Sequence, residues 1–278
     1  MEFGVFYFPT HYGIEIGELA EELEARNFSQ LLACEHTHIP ISRKTPFPPG
    51  GELPERYKHT LDPFVALSFA AARTTQLKIG TGICLLPQRD PITTAKSAAS
   101  LDRQSGGRFI FGVGAGWNQD EMENHGAVYK TRFKEMTEKI EAIKNLWVEE
   151  EAEYHGDFVN FDPVWSSPKP ITQDHPPIIL GGETDHTLKR VANLANGWLP
   201  RGGKDFDPFK ERLRLDNAAK AVERDPQELS ITVFFAPTDY DLLQKYKEAN
   251  INAVLFDVPD EPRDKVLPLL DQYAKLMS

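Results

Sequence analysis

The chain has 278 residues, of which 40% are hydrophobic, enough to bury one large core, so one domain spanning residues 1–278 is expected. Its formal net charge of −11 argues against a nucleic-acid partner, and no apolar stretch approaches the roughly 20 residues that a membrane helix requires. The two cysteines, Cys34 and Cys84, lie in apolar runs that predict buried thiols, as in a cytoplasmic protein.

The first half of the chain alternates short apolar runs with segments of helical periodicity. Two helices are predicted to begin at Asp-Pro pairs, since aspartate caps a helix and proline is favoured in its first turn. A long Pro- and Gly-rich loop near 37–60 exceeds the length of an ordinary connection. In chain order the predicted elements are a strand at 2–8, a helix at 15–27, a strand at 31–34, a helix from Asp62-Pro63, a strand at 77–86, a helix from Asp90-Pro91 to about 105, a strand at 108–114, and helices at 118–124 and 131–149.

The second half resumes this alternation after an insertion near 150–172, whose polar, aromatic part (152–170) predicts a small hairpin or loop. Eight strands in β-then-α order favour a closed TIM-type (β/α)8 barrel with insertions over an open doubly wound sheet. The long segments follow strands two and four, so we expect the functional site at that end of the barrel. The remaining predicted elements are a strand at 177–180, a helix at 184–196, a strand at 197–199, a helix near 206–224, a strand at 229–235, a helix at 240–250, a strand at 253–257 and a helix at 264–277.

Glu35 and His36 directly follow the second predicted strand, at the end of the barrel where catalytic groups collect. An imidazole that titrates near neutrality beside a carboxylate is suited to donating or accepting a proton. The alternative is that both residues only satisfy loop hydrogen bonds, and the local sequence by itself favours that alternative. No metal site is expected, because neither an HExxH helix nor a CxxC pair is present.

Two glycine-containing segments lie in or after the third and fourth predicted strands. Gly82 interrupts an apolar strand, which predicts either a bulge or the close approach of a flat ligand. The segment with Gly114, Gly116 and Asn118 lacks the full GxGxxG spacing of dinucleotide sites. Asn118 can cap the following helix and still reach a ligand.

A third glycine segment, formed by Gly181, Gly182, Glu183 and Thr184, lies between a predicted strand and a predicted helix. Backbone amides at such a turn, together with the helix dipole, can bind a phosphate. The competing interpretation is a tight turn capped by Thr184, because Glu183 places a negative charge beside any phosphate. We favour phosphate binding.

Three longer segments carry a resemblance to a known family. They are GTGICLLPQRDP at 80–91, LDRQSGGRFIFGVGAGWNQDE at 101–121 and PPIILGGET at 176–184. In this order they resemble the luciferase-like monooxygenase superfamily over about residues 1–200, and most of all its deazaflavin-dependent oxidoreductase branch, which uses coenzyme F420. The resemblance implies a TIM barrel with insertions that holds the coenzyme at the carboxyl ends of its strands.

The resemblance also implies roles for individual residues. His36 would be the proton donor or acceptor beside the deazaflavin ring, and Glu35 would be the family's acidic residue. A non-prolyl cis peptide bond between Gly82 and Ile83 would lie behind the central ring. The residues that would line the coenzyme or hold its phosphate are Gly114, Gly116, Asn118, Gly181 and Gly182.

One departure from the branch bears on the substrate. Its sugar-phosphate dehydrogenases carry a glutamate where this chain has Ala115, so sugar-phosphate oxidation is not expected. Tyr7, Phe8 and Trp117 would instead form an aromatic pocket for a neutral or hydrophobic substrate. We therefore expect hydride transfer between coenzyme F420 and a small organic molecule. The alternatives are an FMN-dependent two-component monooxygenase and a flavin-binding barrel without turnover.

Self-association is expected as well. Barrels of this superfamily commonly pair, so a homodimer is implied, and the amphipathic helices at 118–149 are the predicted contact face.

Overall fold

The structure is a computed structural model that describes residues 1–203 and 205–277, and its main feature is a parallel sheet closed into a barrel. Its strands, in chain order, are β1 (Glu2–Tyr7), β2 (Gln30–Ala33), β3 (Lys78–Thr81), β4 (Cys84–Leu85), β5 (Phe109–Gly114), β6 (Ala152–His155), β7 (Asn160–Val164), β8 (Ile178–Gly181), β9 (Gly197–Leu199), β10 (Ser230–Phe234) and β11 (Ala253–Val258). The barrel order is β3-β2-β1-β11-β10-β9-β8-β5-β4, and pairing of β3 with β5 closes the ring. The predicted TIM-type barrel is confirmed.

The third barrel strand, predicted as one run over 77–86, is split into β3 and β4. Both parts pair in parallel with β5. Between them a cis peptide bond joins Gly82 to Ile83, as the resemblance implied. Eight barrel strands therefore comprise nine hydrogen-bonded segments.

Helices follow the strands and surround the barrel. They are α1 (Ile16–Ala25), α2 (Pro63–Arg73), α3 (Pro91–Gln104), α4 (Gln119–Asn124), α5 (Arg132–Val148), α6 (Asp185–Leu194), α7 (Pro208–Lys220), α8 (Tyr240–Glu248) and α9 (Arg263–Ala274). Asp62 and Asp90 cap α2 and α3 through their side chains, and a proline follows each cap, as predicted. No helix in the described ranges is both long and apolar enough to cross a membrane.

The side chains of β1 show how the core divides into two layers. Phe6 and Phe8 belong to an inner cluster inside the barrel, together with Leu32 and Leu255. Val5 and Tyr7 are fully buried in the larger cluster between the barrel and its helices. This follows from the alternation of side chains along a strand, which places neighbouring residues on opposite faces.

Two segments depart from the β-then-α pattern. The segment near 37–60 contains a short 3-10 helix, Glu55–Lys58, and lies over the carboxyl ends of the strands. The stretch at 152–170 contains the antiparallel hairpin of β6 and β7, which is one of the two predicted forms. Glu138 of α5 holds the turn of this hairpin by accepting hydrogen bonds from the amides of Phe158 and Val159.

Candidate active site

A buried histidine and a buried glutamate meet just beyond the carboxyl end of β2. Nδ1 of His36 lies 2.8 Å from Oε2 of Glu121, and Oε1 of Glu121 accepts a hydrogen bond of 3.2 Å from the amide of Thr37. An ionised carboxylate only accepts hydrogen bonds, so this contact places a proton on Nδ1. Nε2 of His36 is thereby left to donate or accept a proton.

Glu121 was not singled out from the sequence. It stands three residues after Asn118, the N-cap of α4, whose side chain accepts from the Glu121 amide at 3.4 Å. That spacing is typical of a capping box, a purely local structure. In the fold the Glu121 side chain instead turns to His36, which is 85 residues away in the chain.

Glu35 was expected to act beside the coenzyme, but its carboxylate is committed elsewhere. Oε2 accepts from the Leu85 amide at 2.7 Å, and Oε1 accepts from Nε of Arg89 at 2.6 Å. Burial opposes the positive charge of Arg89, yet its contacts, which include Glu35 and Asp62, raise the pKa of this guanidinium above its usual value. With both oxygens engaged, Glu35 ties the end of β2 to β4 and the start of α3, so we correct its expected role from catalytic to anchoring.

The expected coenzyme segments meet around the side chain of Ile83. A Cβ atom on Gly114 would lie 1.8 Å from Cδ1 of Ile83, and one on Gly181 would lie 3.4 Å from the same atom. Glycine at the end of β5 therefore leaves the space that Ile83 fills. The split third strand, β5 and β8 are thus brought together at one place in the barrel mouth.

Buried side-chain amides lie beside this place without partners. Gly116 has a φ of +78°, which glycine adopts readily, and turns the chain from β5 towards α4. Nδ2 of Asn118, and both Oε1 and Nε2 of Gln88, are buried and make no hydrogen bond within residues 1–203 and 205–277. Buried polar groups are normally paired, so unpaired ones point to a polar group that the protein itself does not supply.

The turn after β8 combines a helix cap with unused backbone donors. Thr184 caps α6 by accepting from the Thr187 amide at 3.2 Å, and the carbonyl of Gly182 accepts from Nε1 of Trp198 at 2.6 Å. The amides of Gly182 and Glu183 donate no hydrogen bond within the described ranges. The Thr184 cap is therefore present, and the free amides leave phosphate binding at this turn a prediction.

A cavity of about 520 Å³ lies beside that turn. Its lining includes Glu183 and Gly203 and two guanidinium groups, those of Arg201 and Arg214. Arg214 is paired at 2.5 Å with both Glu211 and Asp185, whereas Nε of Arg201 lies 3.4 Å from Glu183. Neither arginine was singled out from the sequence, although Arg201 stands two residues after the end of β9 and is succeeded by two glycines.

Aromatic side chains surround His36 at the mouth. Its ring centroid lies 5.1 Å from Tyr57 and 5.8 Å from Trp117, and Tyr57 lies 4.7 Å from Phe8. Phe47 contacts both Tyr57 and Trp117. Phe8 and Trp117 thus lie where an aromatic pocket was expected, while Phe47 and Tyr57, from the 37–60 segment, were not anticipated.

Tyr7 does not belong to this group. Its side chain is fully buried on the helix-facing side of β1, where the hydroxyl donates to the carbonyl of Ile14 at 2.9 Å. The expectation that it lines the pocket is wrong, because Tyr7 and Phe8 are neighbours in an extended chain and face opposite ways.

The segment that covers the mouth is attached to α4. Asp120 accepts hydrogen bonds from the hydroxyl of Ser42 at 3.0 Å and from the amide of Lys44 at 3.1 Å. Asp120 directly precedes Glu121, so one turn of α4 holds both the covering segment and His36.

The whole arrangement agrees with a known family. A family model described as luciferase-like monooxygenase matches residues 1–265. The chain belongs to this family. Among curated proteins, an uncharacterised protein of Mycobacterium tuberculosis is 38% identical over 282 residues, covering 99% of this chain and 98% of its own length. An FMNH2-dependent dimethylsulfone monooxygenase of Pseudomonas putida is 27% identical over 60% of this chain and 47% of its own length.

Solved luciferase-like structures share the fold over the full length. The monooxygenase RslO1 from Streptomyces bottropensis has a TM-score of 0.83 at 20% identity and covers 100% of this chain and 98% of its own. The coenzyme F420-dependent tetrahydromethanopterin reductase from Methanopyrus kandleri has a TM-score of 0.74 at 18% identity, with 99% and 96% coverage. At these identities the likeness concerns the fold.

For a luciferase-like barrel, the chemistry that this chain contributes is acid–base chemistry and binding. No group of three or more His, Cys, Asp or Glu side chains within residues 1–203 and 205–277 is arranged to hold a metal ion. Cys34 and Cys84 are buried, and desolvation raises the pKa of each thiol well above its usual value, so neither is an activated nucleophile. His36 with Glu121 is the pair suited to proton transfer beside a redox coenzyme.

Proposed function

We propose that the chain is a coenzyme F420-dependent oxidoreductase, built as one barrel domain over residues 1–278, that transfers hydride to or from a small organic substrate. One observation carries the proposal: the Gly82–Ile83 cis peptide, Gly114 and Gly181 meet around Ile83 at the end of the barrel that also holds the His36–Glu121 pair. A flat ring backed by the split strand would lie within reach of the imidazole.

The residues present fit the rest of such a coenzyme. A phosphate is matched by the free amides of Gly182 and Glu183, by the start of α6 and by the guanidinium of Arg201. The unpaired amide of Asn118 fits a ring carbonyl. Beyond the turn, the cavity of about 520 Å³ offers room for an acidic tail, which FMN lacks, and its lining includes the guanidinium groups of Arg201 and Arg214 among the carboxylates of Glu183, Asp205 and Glu211.

When bound, the deazaflavin supplies the hydride chemistry. The chain orients the ring against Ile83 and handles the proton. Glu121 fixes the Nδ1–H tautomer of His36, so that Nε2 faces the mouth as the group that gives or takes the proton. Phe8, Tyr57 and Trp117 supply an apolar surface that excludes water from the reacting atoms.

The competing function is an FMN-dependent monooxygenase supplied by a partner reductase. The likeness to the FMNH2-dependent enzyme of Pseudomonas putida favours it. The full-length likeness to the monooxygenase RslO1 also favours a monooxygenase over an F420-dependent enzyme. The F420-dependent function is favoured by two F420-dependent proteins of known structure that match nearly end to end. One is the reductase given above, and the other is a secondary alcohol dehydrogenase, whose match covers 99% of this chain and 98% of its own.

Spectral titration of the purified protein with coenzyme F420 and with FMN tests the proposal. We expect F420 to bind at least about tenfold more tightly than FMN, and Arg201→Gln to weaken F420 by about tenfold, because hydrogen bonds to charged groups contribute about 1.5–3 kcal/mol. Arg73→Gln is the matched control, since Arg73 is a loosely paired surface arginine on α2. Tighter binding of FMN would favour the monooxygenase, and binding of neither would refute both.

We further propose that the protein is a homodimer. The exposed face of α2 carries Val65, Ser68, Phe69 and Ala72, with Arg73 at its carboxyl end, and Ile92 of α3 is also exposed. This face is a better candidate than the predicted one at 118–149, because the exposed positions there include Glu123, Lys130 and Lys134. Phe69→Glu should yield monomers in analytical ultracentrifugation. Phe209→Glu, at an exposed position of α7, is the control and should leave the dimer intact. A Phe69→Glu variant that remains dimeric would contradict the assignment of this face.

A further inference from the structure

Two arginines at the carboxyl end of the barrel are paired more loosely than the other arginines of the same region. Arg89 lies 2.5 Å from Glu35, and Arg214 lies 2.5 Å from Asp185. By contrast Nη1 of Arg56 lies 3.3 and 3.4 Å from the two oxygens of Asp257, and Arg201 lies 3.4 Å from Glu183. Arg201 borders the cavity assigned above to the coenzyme, which leaves Arg56 without a function.

Arg56 is held firmly in place by other contacts. It belongs to the 3-10 helix Glu55–Lys58, and its Cζ lies 4.3 Å above the ring centroid of Phe8. A guanidinium stacked on an aromatic face keeps its edges free for planar hydrogen bonding. Nε and Nη2 make no hydrogen bond within the described residues, and they are not sealed from the surroundings.

Asp257 pairs with this cation at 3.3 Å, a longer distance than the 2.5 Å between Arg89 and Glu35. It lies at the end of β11, beside β1, and burial raises the pKa of its carboxyl despite the opposing effect of Arg56. Tight ion pairing would have lowered that pKa instead. In a chain with a net charge of −11, Arg56 is a local, mostly buried positive charge whose acidic partner, Asp257, lies 3.3 Å away.

The position of Arg56 relative to His36 defines the space for a substrate. Arg56 contacts Phe8, Phe8 contacts Tyr57, and Tyr57 contacts His36, so two aromatic rings separate the cation from the imidazole. The proposed phosphate turn follows β8, whereas Asp257 lies in β11, three strands further round the barrel, and Phe8 follows β1, four strands further round. Arg56 thus faces the substrate side of the mouth.

We propose that Arg56 binds a carboxylate of the substrate, so that the substrates are organic acids. The flat or apolar body of such an acid lies against Phe8, Tyr57 and Trp117, and its reacting carbon lies near His36. This assignment rests on the proposed function and narrows its substrate class. Guanidinium and carboxylate match through two parallel hydrogen bonds, and the free Nε and Nη2 form the edge that such a pair uses.

Benzoate and benzamide test the assignment, because they share one shape and differ in charge. Each is titrated calorimetrically at pH 7 into the full-length protein, with and without coenzyme F420. We expect benzoate to bind about tenfold or more tightly than benzamide, and Arg56→Gln to remove that preference. Arg73→Gln is again the control and should leave the preference intact.

A second variant separates binding from folding. Asp257→Asn removes the carboxylate that competes for Arg56, so it should tighten benzoate several-fold while leaving benzamide unchanged. Should benzoate keep its advantage in a folded Arg56→Gln protein, or lose affinity in Asp257→Asn, the assignment is overturned. Loss of the preference in Arg201→Gln rather than Arg56→Gln would overturn it too, because the anion would then belong to the phosphate cavity.

The outcome is distinguishable from failure of the proposed function. If F420 does not bind but benzoate is preferred through Arg56, only the coenzyme is wrong. If F420 binds and benzoate is not preferred, the oxidoreductase stands and the substrate class falls.

Discussion

Replacing Gly114 by alanine should destabilise the barrel through a single contact. The added Cβ would lie 1.8 Å from Cδ1 and 3.2 Å from Cγ1 of Ile83, against the 3.5–4.0 Å of an ordinary carbon contact. Rotation of Cδ1 alone would not relieve the overlap, because the inner Cγ1 atom of Ile83 would also be too close. Overpacking of this kind costs about 1–3 kcal/mol, and the severity of the overlap places Gly114→Ala near the upper figure.

Thermal unfolding measures this cost. At about 2–4 °C per kcal/mol, Gly114→Ala should lower Tm by roughly 6–12 °C. Gly126→Ala is the control, since a Cβ there meets nothing, and its cost of about 1 kcal/mol comes from the positive φ alone. Ile83→Val removes the clashing Cδ1, so the double variant should be more stable than the sum of the single effects by about 1–2 kcal/mol. Additive effects, or an unchanged Tm in Gly114→Ala, would refute the reasoning.

Two further predictions concern hydrogen bonds to carboxylates. In spectra of protein labelled with ¹⁵N-histidine, His36 should show a protected Nδ1–H signal, and Glu121→Ala should remove it. His175, which is bonded to the Pro176 carbonyl, is the control and should stay unchanged. An unaffected His36 signal in Glu121→Ala would contradict the pairing. Burial opposes ionisation of Glu24, but the amides of Thr75, Gln76 and Leu77 lower its pKa to about 2. A lowered pKa contributes stability that is present above the ordinary value near 4.5 and lost as pH falls towards 2. Glu24→Gln should therefore destabilise the protein at pH 7 by about 1 kcal/mol after allowance for solvent screening, which lowers Tm by a few degrees. The difference in Tm between the two proteins should vanish towards pH 2. A difference that stays constant with pH would argue against the hydrogen bonds as its cause.

The barrel could be predicted because its signals are local. Strands and helices alternate with regular hydrophobic periodicity, and caps such as Asp62 and Asp90 mark where helices begin. The glycine segments were also readable, since glycine at a strand end indicates a close approach. The sequence could not show that the atom approaching Gly114 belongs to Ile83.

The parts of the site that escaped prediction depend on distant contacts. Glu121 reaches His36 across 85 residues, and Tyr57 reaches Phe8 from a long loop without a periodic pattern. Glutamate is a residue type that also serves as a catalytic acid, so the sequence could not tell which role Glu35 has. Only the contact with Arg89 shows that Glu35 anchors the end of β2. The mistake over Tyr7 was avoidable, because alternation along β1 excludes it once Phe8 faces the barrel.

The adjacency of Asp120 and Glu121 links substrate access to chemistry. Asp120 fastens the covering segment through Ser42 and Lys44, and Glu121 sets the orientation of His36. Because both contacts lie on one short helix, a displacement of the covering segment would act on the residue that orients the imidazole. Access to the mouth and the alignment of His36 therefore depend on the same turn of α4.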